Sequence, residues 1–165
     1  MARQPTRTLI QPGMTENQRQ EEGPPVFTHI MVPVDLAHAD RLTRALEAAA
    51  DLAKSHDARI TYVGVTAPQP GQVARSPEDF ADKLAQFAAT QAEAMGIAET
   101  GTHPIISHDP SVELDRALKE AADSLGADLI VMGSHIPRAF DLKSHGGHLA
   151  QMTDRSILLI RDPQS

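Results

Sequence analysis

Four groups of residues in this chain of 165 have types and positions that suit phosphate chemistry. Gly133 follows the apolar run Leu129-Ile130-Val131-Met132, and a glycine there either lets backbone come close to a ligand or simply makes a tight exit from a buried strand. Gly146-Gly147 stands where a short helix is expected to begin, and the free N–H groups of a first helical turn are donors for an anion. His135, His145 and His148 share that stretch with Arg138 and Lys143, which adds cationic partners or forms an ordinary solvated loop. Asp35 ends an earlier apolar run, where its carboxylate faces a ligand or caps the helix that follows.

Other chemistry finds little support. There is no Gly-x-Ser-x-Gly elbow, no complete Gly-x-x-x-x-Gly-Lys-Ser/Thr loop and no Gly-x-Gly-x-x-Gly after the first strand, so no catalytic residue is assigned. His145 and His148 are three apart, but a structural zinc site takes four ligands and no carboxylate is placed to complete one, so no metal site is assigned either. The absence of cysteine excludes disulfides, thiolate metal sites and a Cys nucleophile. A net charge of -7 argues against general nucleic-acid binding, which needs a basic face.

The elements that must position these residues can be read in order. Residues 1–25, rich in Gln, Glu, Arg, Pro and Gly, lack apolar periodicity and are expected to be a disordered tail. Residues 26–162 are expected to form one domain, for which an apolar content of 41% supplies a core. Phe27 to Asp35 reads as a strand, followed by a helix with Leu42, Ala45, Leu46, Ala49, Leu52 and Ala53 on one face and Asp40 as its cap. Arg59 to Val65 is a second strand, and a second helix runs from Ser76-Pro77 to Gly96. His103 to His108 is a third strand, which Pro104 confines to an edge or to its first residues. Asp109-Pro110 opens a third helix that stops at Gly126. Leu129 to Met132 is the central strand, a short helical piece follows near 147–153, and Ser156 to Arg161 is a fifth strand. Strands alternating with helices predict an α/β fold, an open five-stranded parallel sheet with helices on both faces and a ligand crevice beyond the strand C-termini.

No run approaches the ~18 apolar residues that cross a bilayer, and the polar start Met1-Ala2-Arg3-Gln4-Pro5 lacks a secretory signal's apolar segment. A cytoplasmic protein without a membrane span is the expectation.

Several stretches together resemble the universal stress protein family. They are Ile30-Met31-Val32-Pro33-Val34-Asp35, the strand end Tyr62-Val63-Gly64-Val65, the Asp109-Pro110 turn, the block Ala127 to His135, and Ile157-Leu158-Leu159-Ile160-Arg161. The resemblance spans Phe27 to Arg161. It implies a Rossmann-like fold with strand order 3-2-1-4-5 and, since some members bind ATP or AMP, an adenine-nucleotide crevice. On that basis a nucleotide would lie against Pro33, Val34, Asp35, Val65, Met132, Gly133, His135, Gly146, Gly147 and His148, with Asp35 at an adenine or ribose edge and the phosphates near Gly146, Gly147 and His148. Gly133 fits the first glycine of the family's phosphate motif and Gly146 the third. Ile136 stands where the second glycine belongs, and Gly147 replaces a Ser or Thr. A β-branched residue resists positive φ, so binding is expected to be weak or lost.

The functional expectation is therefore a non-enzymatic stress-response or regulatory module that requires no cofactor, takes ATP or AMP if any ligand, and acts on a regulatory protein partner. A nucleotide-using enzyme with slow hydrolysis and a purely protein-interaction dimer are the alternatives. In the implied strand order the run Ile157, Leu158, Leu159 and Ile160 lies at a sheet edge, and an apolar edge invites antiparallel pairing with a second copy. A homodimer through this strand is also what the resemblance implies.

Overall fold

The computed structural model describes residues 24–134 and 145–161. The expected tail falls outside the described residues except for its last two positions, and so do His135, Ile136, Arg138 and Lys143. Among the described residues five strands alternate with four α-helices: β1 (His29–Pro33), α1 (Thr43–His56), β2 (Arg59–Thr66), α2 (Pro77–Met95), β3 (Thr100–Ile106), α3 (Pro110–Leu125), β4 (Leu129–Ser134), α4 (His145–Met152) and β5 (Ser156–Arg161). All pairings are parallel and the order is β3-β2-β1-β4-β5. This is the expected doubly wound sheet, but its central strand is β1 rather than the Leu129–Met132 run expected there: β1 has neighbours on both sides, with Ile30 opposite both Ile60 of β2 and Leu129 of β4, whereas β4 lies between β1 and the edge strand β5.

Side chains alternate between the two faces of a strand, so the sheet has two cores. Ile30, Val32, Leu129 and Val131 pack on one face with Ala45, Leu46 and Ala49 of α1 and Phe80 and Leu84 of α2. Met31, Ile130 and Met132 pack on the other face with Leu118, Ala121 and Ala122 of α3 and Leu149 of α4. On the first face Gly64 is a packing requirement: a Cβ there would meet Phe80 Cζ at 2.7 Å, and α2 can approach β2 only because the atom is missing. The same face buries Tyr62 completely, edge-on to Phe87 with ring centroids 5.4 Å apart. Its hydroxyl has no hydrogen-bond partner among the described residues, and burial pushes its pKa up to about 12.

The helices begin and end largely where their sequences say. Ser76 accepts a hydrogen bond from the Asp79 N–H at 3.1 Å, with Pro77 at the first position of α2. Gly96 and Gly126, at φ 65 and 66°, close α2 and α3 in the left-handed conformation that glycine takes without penalty. No described helix is long and apolar enough to cross a membrane.

Two further expectations are corrected. Asp40 does not cap α1; a 3-10 helix, Leu36–Leu42, precedes it, and the capping carboxylate is Asp35, whose Oδ1 accepts from the Ala37 N–H at 3.0 Å. Leu36, Ala39 and Leu42 recur at the three-residue period of such a helix, and they are its partly buried residues. β3 begins at Thr100, three residues earlier than expected, and Pro104 sits inside it; the strand tolerates the missing N–H because β3 is an edge.

The N-terminal end of the sheet is tied by Asp128. It accepts hydrogen bonds from the N–H and Oγ1 of Thr28, each at 2.8 Å, and from the His29 N–H at 3.2 Å, and despite burial these keep its pKa below the usual carboxylate value. The buried His29 ring lies 2.7 Å from Thr61 Oγ1 through Nε2. Its Nδ1 is 3.1 Å from both the Leu125 carbonyl oxygen and the Arg59 guanidinium, so each tautomer serves one of them. Burial first, and then the Arg59 charge, pushes the His29 pKa below its ordinary value, against the pull of the Leu125 carbonyl, Asp128 and Glu99.

A lowered pKa means that below the ordinary value of 6.5 the folded chain binds fewer protons than the unfolded one. The stability held by neutral His29 is complete above that pH and is lost as pH falls through it toward the lowered value. Urea unfolding between pH 7.5 and about 5 should show this decline, and His29→Gln should flatten it. An unflattened profile in the variant would assign the decline to other groups.

Candidate functional site

The chain leaves β1 toward α1 on one face and leaves β4 toward α4 on the other, so the two exits diverge beyond the sheet. A cavity of about 600 Å³ opens there. Its floor is formed by the strand ends: Pro33, Val34 and Asp35 after β1, Val65 of β2, and Met132 and Gly133 of β4. Leu114 and Leu118 of α3 and Phe80 of α2 make its walls largely apolar, which suits a flat ring. Six of the ten residues expected to contact a ligand thus share one cavity.

Of the other four, Gly147 and His148 do not join them. His135 lies outside the described residues. Gly146 and Gly147 are in the first turn of α4, and Gly147 and His148 do not line the cavity. His148 Nδ1 lies 2.7 Å from the Asp115 carboxylate of α3, which is largely buried, so the imidazole is held against that acid.

Asp35 fulfils the capping role, and its second oxygen is 2.8 Å from His38 Nδ1. Each carboxylate oxygen keeps a further lone pair, so a ligand hydroxyl can still be accepted. Gly133 turns out to be a packing residue. A Cβ there would meet Leu42 Cδ2 at 2.7 Å and Ala45 Cβ at 3.7 Å, so the space its missing side chain leaves belongs to the entry of α1.

The cavity also has polar lining that the sequence did not point to. His38 and Arg41 border its mouth from the 3-10 helix, and Gln72 borders it from the loop before α2. The available signal was spacing: Asp35, His38 and Arg41 are three apart, although the backbone kinks at His38 and breaks the regular 3-10 row.

The sequence model described as the Universal stress protein family matches residues 27–161. No curated protein matches the sequence. Among solved structures, a universal stress protein in complex with cAMP is similar with a TM-score of 0.64 at 21% identity, covering 82% of this chain and 97% of that one. A universal stress protein from Archaeoglobus fulgidus in complex with dAMP gives 0.59 at 23% identity, over 82% and 98% of the two chains. A family protein from Arabidopsis thaliana with AMP bound gives 0.58 at 16%, over 84% and 94%. At these identities the likeness establishes the fold.

The contact between Leu42 and Gly133 sets an expected outcome. Gly133→Ala should destabilise the protein by about 1 kcal/mol, the low end for overpacking, because a side-chain tip can give way. In a Leu42→Ala background that cost should vanish, leaving a coupling of at least about 0.5 kcal/mol in a double-mutant cycle read by urea unfolding. Additive costs would show that Leu42 is not what Gly133 accommodates.

Proposed function

Because the chain belongs to the universal stress protein family, we propose that it is a non-enzymatic stress-response module that binds an adenine nucleotide in the cavity beyond β1, β2 and β4. The observation that carries this reading is the convergence of Asp35, Val65, Met132 and Gly133 on one apolar cavity of about 600 Å³. The similar structures that hold cAMP, dAMP and AMP support it. Ile136 and Gly147, where the family's motif has glycine and a hydroxyl residue, make the binding weak. Occupancy would then report nucleotide level to a regulatory protein partner in the cytoplasm, without turnover.

Calorimetric titration with AMP and ATP, alongside a phosphate-release assay, tests this. The expected result is a dissociation constant between about 1 μM and 1 mM, or roughly 8 to 4 kcal/mol of binding free energy, for at least one of them. No phosphate release above the blank is expected. Sustained release would make the protein an enzyme, and absence of heat with both nucleotides would leave protein interaction as its activity.

A second reading concerns assembly. In β5 the residues Leu158 and Ile160 pack toward one core and Ile157 and Leu159 toward the other, yet all four are only partly buried because the strand is an edge. Antiparallel pairing with the β5 of a second copy would cover them and satisfy the free backbone groups. Light scattering should therefore give twice the 17.8 kDa of one chain. Leu158→Pro, which deletes a ladder donor, should give a monomer or an insoluble product. A wild-type monomer would refute the dimer.

A further inference from the structure

Resting on the reading of the cavity as an adenine-nucleotide site, we infer that the side-chain amide of Gln72 reads the polar edge of the base, which makes the loop between β2 and α2 the base-selecting wall. The first observation is how charge is distributed over the lining. Among the described residues the ionisable side chains of the lining, Asp35, His38 and Arg41, all come from the end of β1 and the 3-10 helix. From Val63 of β2 to Phe80 of α2 the lining is uncharged, and what α3 contributes, Pro110, Leu114 and Leu118, is apolar. A neutral heteroaromatic ring loses less on desolvation against such a surface than a sugar's hydroxyls or a phosphate would.

An apolar slot alone does not tell one ring from another. Among the described residues two side chains on the uncharged side carry polar groups, Thr66 and Gln72. Thr66 directs its hydroxyl to the Ala67 carbonyl oxygen, whereas the Gln72 amide has no hydrogen-bond partner among the described residues. An amide presents a donor and an acceptor side by side, the pattern that pairs with adenine's amino group and the ring nitrogen next to it.

The backbone that carries Gln72 is held on both sides. The Gly71 N–H donates to the Ala74 carbonyl oxygen at 2.8 Å, Lys83 Nζ of α2 donates to the Val73 carbonyl oxygen, and Asp79 accepts from the Arg75 N–H at 2.8 Å. Val73 packs on the core and Ala74 is buried, which leaves Gln72 exposed on a pinned loop. Binding therefore does not have to order this wall first. Lys83 does not line the cavity and acts on it only through this loop.

The amide can turn over and exchange its donor for its acceptor, so replacing the base's amino group by an oxo group is not a clean probe, and deleting the group is. The full-length protein is titrated calorimetrically with AMP and with purine riboside 5′-monophosphate, which lacks the amino group. The wild type should bind AMP about fivefold tighter, which is ~1 kcal/mol, the size of one hydrogen bond. Gln72→Met, which keeps the length of the side chain and removes the amide, should make the two ligands bind equally. A residue that only shapes the loop would weaken both ligands and leave their ratio as it was. Equal binding by the wild type, or an unchanged ratio in Gln72→Met, would overturn the assignment and leave the cavity reading standing. Failure of the wild type to bind either ligand would overturn both.

Discussion

Everything in this molecule depends on β1 being hydrogen-bonded on both sides, to β2 and to β4. A parallel strand has to be reached by a crossover, and right-handed crossovers that start on opposite sides of β1 put α1 and α2 on one face and α3 and α4 on the other. Divergence of the chain at the end of that strand follows from topology alone. The cavity is the space that neither half of the winding can fill, and it would exist whatever residues lined it.

The lining residues decide how that space is finished. Gly64 and Gly133 each omit a Cβ at a place where another element needs the volume, Phe80 in one case and Leu42 in the other. Phe80 and Leu42 also line the cavity, so the packing of α1 and α2 on the sheet and the shape of the cavity are set by the same side chains. Tyr62 shows the cost of such tight packing: its ring fills the core beside Phe87 while its hydroxyl finds no described partner.

Much of the architecture was legible because each core strand is a short apolar run and each long helix carries its own end signals, Ser76-Pro77 and Gly96 for α2 and Pro110 and Gly126 for α3. Strand order came from family resemblance, since apolar runs alone do not say which strands are neighbours. The 3-10 helix Leu36–Leu42 was missed because its apolar residues repeat every three positions and were read against a period of 3.6. Asp40 was given the cap for the same reason, and the row containing His38 and Arg41 went unnoticed. The pairing of His148 with Asp115 could not be read from sequence, because it joins residues 33 apart on different helices. Gly133 stood out as a position where a side chain is not tolerated, but a glycine reports only that space is needed and not what occupies it.

Pro104 sits opposite Gly64, in the middle of the outer strand β3. On that side of the sheet the ladder lacks a donor, whereas β5 carries an uninterrupted run of N–H groups. A particle with two adhesive sides can chain without limit, while one with a single adhesive side has a valence of one. Were β5 to pair with a second copy, the proline would set a ceiling on stoichiometry by blunting the far side of the sheet. In that assembly, crowding at high expression level would raise the rate of encounters between sheet edges without lengthening what they form.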